Sequence, residues 1–305
     1  MKHSDKFSVS CVKLLQHSSL SFYAKQIHLI YIFFCVNINA KAGEKMSISN
    51  DNKFSADNIL SHLHFDTDVR FFDSIDSTNN EAKRNSESLS DKPVLFVANH
   101  QHSGRGRLGR TFYSPKDTGL YMSLMLKNNK DAQNIVSITT ATAVCVCDAI
   151  KELCDIEPKI KWVNDIYIEN KKVCGILCEA VTNPYEGTID GIIIGIGVNI
   201  STTDFPAEIT DIATSLRCNI DKAHLCALIT DKILSMYQDF KNNSFIDKYK
   251  SYSMVLGKEI TYIENNIPKT ATAIDVDPNG GLVIKTDDGL KTLSTGEITI
   301  RVIKA

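Results

Sequence analysis

The sequence has no surplus of either charge: 34 Lys and Arg stand against 36 Asp and Glu, a formal net charge of −2. A general nucleic-acid binder favours a basic surplus, so that class recedes. It also lacks a run long enough to cross a membrane. "HLIYIFFCV" (28–36) is well short of the roughly 20 apolar residues a spanning helix needs. Nine cysteines in 305 residues are an odd number in a long chain, which argues against a dense disulfide framework. No Cys/His grouping has zinc-ligand spacing. Reduced, mostly buried thiols in a cytosol are expected, with a redox or metal role as the alternative. Internal repeats and low-complexity tracts are missing too. What remains is the composition of an ordinary globular protein, 43% hydrophobic and 23% charged. Its length allows one large domain and a smaller one.

The first forty-five residues differ from the rest. As a signal core, 28–36 sits late, and "NINAKA" is a weak cleavage match. Met46 then opens a polar stretch. The preferred reading makes Met46 the start and 1–50 an extension that is disordered or outside the native fold. A targeting segment is the rival.

Periodicity predicts short helices over 56–65 and from Ser77, strands over 70–76 and 93–100, and a strand over 119–127. A long helix follows over 131–154, capped by Asp131. Residues 159–180 and 188–200 read as several strands, with a turn at Asn170–Lys171. The run Ile192–Val198 is apolar on both faces, as a central strand would be. Helices are expected over 221–240 and 244–252. After Leu256 the pattern changes to short strands separated by "DPNGG" and "TDDGL" turns. The body is therefore α+β, a mixed β-sheet backed by helices, and the tail is a small β-barrel. The expected domains are 51–252 and 253–305.

Three stretches carry chemistry. In "GRGRLGR" (104–110), glycines let backbone amides approach a ligand and arginines offer paired donors to carboxylate or phosphate. It is neither a Walker A loop nor G-x-G-x-x-G opening a βαβ helix. An anion-binding loop, a solvated turn and an RNA contact are its readings. In "KWVNDIY" (161–167), Lys161 either faces solvent or turns into a site. Asn164 and Asp165 either shape a turn or stand beside a phosphate, where Asp165 could hold a cation. "KKVCGILCE" (171–179) is the third. Nothing looks like an activated Ser or Cys nucleophile.

Together these stretches, with "DSTN" (76–79) and "GIGVNI" (195–200), resemble the biotin–protein ligase family over roughly 66–303. The resemblance implies a catalytic domain like that of class II aminoacyl-tRNA synthetases and a C-terminal SH3-like β-barrel. It implies activation of biotin by ATP to biotinyl-5′-AMP, then transfer to a lysine of a biotin carboxyl carrier domain of acetyl-CoA carboxylase or a related carboxylase. Mg²⁺ would accompany the phosphates.

Site residues follow by position. Lys161, Arg105 and Arg107 are the expected catalytic groups. Ser77, Thr78, Asn79, Gln101, Gly106 and Gly175 join them around biotin, although helix capping also accounts for Ser77 and Thr78. Arg107, Arg110, Phe112, Lys161, Asn164 and Asn199 are expected around ATP, Asp165 near the metal, and Arg301 as a further participant. Val163 stands where the family has proline, and Phe112 where it often has Trp. The resemblance also implies a cytoplasmic, monomeric or homodimeric enzyme. Lipoate–protein ligase, biotin-sensing repressor and non-enzymatic biotin-binding module are the alternatives. Residues 46–65 lack room for a winged helix–turn–helix, and 1–45 show neither its apolar pattern nor a basic recognition helix, so a ligase without DNA binding is expected.

Overall fold

A computed structural model describes residues 54–128, 134–183, 185–240, 244–294 and 298–300. The expectations for 1–50, Asp131 and Arg301 lie outside the described residues.

Among these residues, seven strands form one sheet in the order β1-β2-β3-β7-β6-β5-β4. They are β1 (Asp68–Phe72), β2 (Val94–Ala98), β3 (Gly119–Lys127), β4 (Lys159–Lys161), β5 (Asp165–Ile168), β6 (Lys171–Thr182) and β7 (Ile189–Asn199). Only β1 and β2 run parallel; the other neighbours are antiparallel, so the sheet is mixed. β7 is central, as its apolar run predicts. Its alternation does two things. Ile192, Ile194, Ile196 and Val198 are buried in the main core, while Gly195 and Gly197 fall on the opposite face. That second face is therefore only partly apolar packing. Ile193 joins Ala82, Val94, Phe96 and Met125 in a smaller cluster there.

The core face is covered by α3 (Ile135–Cys154), α4 (Lys222–Gln238) and α5 (Phe245–Tyr252). α1 (Ala56–His62) packs beside α4, and α2 (Thr78–Arg84) lies on the other face against β2, β3 and β7. Asn134 caps α3, accepting from Val136 N at 2.9 Å. Asp221 caps α4 as Asx residues do, accepting from Ala223 N at 2.8 Å. The turn before β6 is Glu169–Asn170, both at positive φ, one residue ahead of the expected pair.

The tail strands β8 (Glu259–Glu264), β9 (Ile267–Val276), β10 (Leu282–Thr286), β11 (Gly289–Leu293) and β12 (Ile298–Ile300) form an antiparallel sheet in the order β11-β10-β9-β8-β12. Its Asp277–Gly281 turn docks on the body. Ser137 Oγ donates to Asn279 O at 2.8 Å, and the indole of Trp162 donates to Gly280 O at 2.9 Å. Trp162 is buried. Trp162→Phe keeps the apolar bulk but leaves the Gly280 carbonyl without that donor. A loss of about 1–3 kcal/mol in urea unfolding is expected. Circular dichroism should follow it, because Trp162 is the only tryptophan. An unchanged midpoint would show that the bond does not hold the two sheets together.

Candidate functional site

The glycine face of β7 is the floor of a cavity of about 290 Å³. A Cβ on Gly195 would lie 1.9 Å from Asn79 Oδ1, and one on Gly197 would lie 2.5 Å from the Phe112 ring. Only glycine lets Asn79 and Phe112 rest on this strand. Gly175 of β6 extends the floor.

One wall is the start of α2. Ser77 occupies the N-cap position, yet its hydroxyl makes no cap bond; the buried side chain lines the cavity instead. Thr78 donates through its amide to Gln101 Oε1 at 2.8 Å, and Gln101 Nε2 donates to Ser114 Oγ at 3.0 Å. Ser123 Oγ reaches Thr78 Oγ1 at 2.7 Å and Asn79 Oδ1 at 2.6 Å. These buried groups satisfy one another and fix one arrangement of the wall.

The Gly/Arg loop forms the roof. It folds back on itself: Gly106 N donates to Arg110 O at 2.7 Å, and Phe112 N donates to Gly104 O at 2.8 Å. Its tip, Leu108, is 74% exposed. Arg105, Gly106, Arg107, Arg110 and Phe112 all line the cavity. Arg107 donates to Asn164 Oδ1 at 3.0 Å, while Asn164 Nδ2 donates to Ile176 O at 2.9 Å. Arg105 donates to Glu179 Oε2 at 3.0 Å. Its guanidinium therefore sits on a carboxylate.

The far wall is the β4–β5 turn, which contains a cis peptide between Trp162 and Val163. Lys161 lines the cavity, and its Nζ lies 5.8 Å from the centroid of the Tyr167 ring. A second lysine, Lys172, also lines it; its Nζ is 2.7 Å from Asp165 Oδ1. Sequence reasoning assigned no role to Lys172 or to Glu179. The signal was their place in "KKVCGILCE": Lys172, Gly175 and Glu179 belong to the strand that supplies the floor.

One expected residue stands apart from the cavity. Asn199 is not among the lining residues; its Nδ2 donates to Thr214 O at 3.1 Å, behind the end of β7. Asp165 is ion-paired with Lys172, and no group of three metal-ligating side chains occurs among the described residues. Asp165 lines the cavity, where it would hold Mg²⁺ only together with phosphate oxygens of the ligand. Burial pushes the Cys145 thiol up to about 12 and raises Cys147 and Cys174 likewise, which keeps these three protonated.

Two family models match this chain. The Biotin/lipoate A/B protein ligase family covers residues 71–199, and the Biotin protein ligase C terminal domain covers 255–301. The bifunctional ligase/repressor BirA of Bacillus subtilis is 32% identical over 239 residues, 75% of this chain and 73% of that protein. The chain belongs to the biotin protein ligase family. Within that family it is also 24% identical to the biotin–[acetyl-CoA-carboxylase] ligase of Mycobacterium tuberculosis, over 67% of this chain and 78% of that one. A biotin protein ligase from Aquifex aeolicus, solved in complex with biotin and ATP, superposes with a TM-score of 0.66. It shares 30% identity, over 77% of this chain and 98% of its own.

Gly195→Ala tests the floor. The added methyl meets Asn79 at the centre of a buried network, so a loss of about 1–3 kcal/mol in stability is expected from overpacking. Denaturant unfolding checks it; a neutral result would mean that Asn79 is free to move off the strand.

Proposed function

We infer that this chain is an ATP-dependent biotin–protein ligase. One observation carries the reading: the Gly/Arg roof, the Lys161/Lys172 wall and the Ser77–Asn79 wall converge on a single glycine floor. Biotin is a largely apolar ring system with a polar ureido group and a distant carboxylate. The Ser77–Thr78–Asn79 wall suits the ureido edge, and Met122 and Leu177 give apolar contact. The cationic end suits the carboxylate and the nucleotide phosphates.

Two anions that repel must be brought together, and cations fixed in advance do this without reorganisation. The biotin carboxylate oxygen attacks the α-phosphorus of ATP, and pyrophosphate leaves. The lysine amine of a carboxylase carrier domain then attacks the acyl carbon of the adenylate, and AMP leaves. No enzyme nucleophile is needed. We assign Lys172 as the main cation between carboxylate and α-phosphate, with Lys161 as its neighbour. Asp165 fixes the Lys172 ammonium, whereas Lys161 leans on Tyr167. Arg107 and Arg110 stabilise phosphate charge. Mg²⁺, when bound with ATP beside Asp165, would neutralise phosphate charge.

The roof retains the adenylate, a reactive anhydride, until the carrier arrives. Its bond from Arg107 to Asn164 is the latch. We propose ligase activity without operator binding, a reading that the near-neutral net charge of −2 favours. The seven free cysteines among the described residues fit a reducing cytosol. No helix among those residues is long and apolar enough to cross a membrane.

The decisive experiment incubates the protein with biotin, MgATP and an apo carrier domain, and reads the carrier's mass. A biotin-sized increase is expected; no increase, or one with lipoate alone, would reject the assignment. Lys172→Ala should lower biotin-dependent pyrophosphate exchange by on the order of 10²–10³-fold. Lys161→Ala should lower it less, and the reverse ranking would return the main role to Lys161. Arg107→Gly should release free adenylate faster than the unmutated protein; equal retention would remove the latch.

A further inference from the structure

Glu179 is an anomaly beside a cavity built for anions: it stands behind the lining, yet it bonds two residues that line it. Its side chain is only 17% exposed, and a carboxylate there repels the ligands that the site is proposed to hold. Every interaction it makes explains how it is tolerated. Oε1 accepts from Lys83 Nζ at 2.7 Å. Oε2 accepts from both Asn79 Nδ2 at 2.9 Å and Arg105 Nη1 at 3.0 Å. Two cations on one carboxylate leave the cluster with a net positive charge.

The shared oxygen matters more than the charge count. Asn79 belongs to the wall and is gripped from its other side by Ser123. Arg105 belongs to the roof and also donates to Asn80 Oδ1 at 3.3 Å. Glu179 itself belongs to β6, on the same strand face as Gly175 and Leu177. One carboxylate oxygen therefore joins the floor, wall and roof. An exposed ion pair contributes little, but a charged acceptor shared by two half-buried donors couples their positions.

We propose that Glu179 is a positioning residue that couples the ring-binding wall, through Asn79, to closure of the roof, through Arg105. Binding that settles Asn79 holds Glu179 in place, and Glu179 then anchors Arg105. Arg105 thus acts on the carboxylate and leaves phosphate neutralisation to the other cations. This rests on the ligase reading for the identity of the ring.

The test uses the full chain and biotin-dependent pyrophosphate exchange. Glu179→Gln keeps the shape but weakens two charge-assisted bonds. It should raise the biotin KM about tenfold and the adenylate dissociation rate by a similar factor, with about a threefold or smaller fall in kcat. Glu179→Asp should recover part of both. In a double-mutant cycle with Arg105→Gln, the paired variant should be within about twofold of the worse single variant. Unchanged KM and adenylate lifetime in Glu179→Gln, or fully additive effects in the cycle, would overturn the coupling. If the unmutated protein shows no biotin-dependent exchange, the ligase reading fails instead, and the two failures are told apart.

Discussion

Everything in this site depends on a strand that presents no side chain where the ligand floor must be. The 2-residue period of β7 sends Ile192, Ile194, Ile196 and Val198 into the core and turns Gly195 and Gly197 toward the cavity. The floor cannot shift without unpacking that buried face, so it is rigid for the same reason the domain is stable. Asn79 and Phe112 press directly on its backbone. Mobility is left to the roof, whose tip projects into solvent.

The second constraint is electrostatic. Cations placed together repel one another, and long side chains lose conformational freedom when ordered. The structure answers with carboxylates at the edges of the cationic region. Asp165 holds Lys172, and Glu179 holds Lys83 and Arg105. Burial opposes the charge on Glu179, but the bonds from Asn79 and Lys83, with the charges of Lys83 and Arg105, outweigh it and keep the carboxyl below its usual range. Outside the cavity Asp76 follows the same logic: Arg84 holds its carboxyl well below the ordinary range, fastening the segment that leads into Ser77.

The elements were legible where one period dominated. Residues 119–127 are predicted as a strand and form β3 with those bounds. The motif residues were legible because their chemistry is concentrated in short stretches, and nearly all of them line one cavity. What stayed hidden depends on contacts between distant segments. Lys172 reads as an ordinary strand lysine until Asp165 is placed across the β5–β6 pair. Glu179 reads as a polar strand end until α2 and the roof fold over it from 74 to 100 residues away. Ser77 shows the converse: its sequence context suggests a helix cap, and only the packed structure shows its side chain lining the cavity with no cap bond.

The tail sheet enters the chemistry through the same turn. Trp162 precedes Asn164 and Asp165, and its indole is fastened to Gly280. Tyr249 of α5 donates to Val163 O at 3.2 Å, bracing the next residue. Asn164 takes the roof's Arg107, and Asp165 takes Lys172. The tail also places Ile298 in the cavity lining. A disturbance at Gly280 therefore reaches the roof and the lysine through two or three bonded residues, with no need for the tail to touch either. In this arrangement the small sheet is a brace for the turn that sets the cations, and the large sheet supplies the floor they act upon.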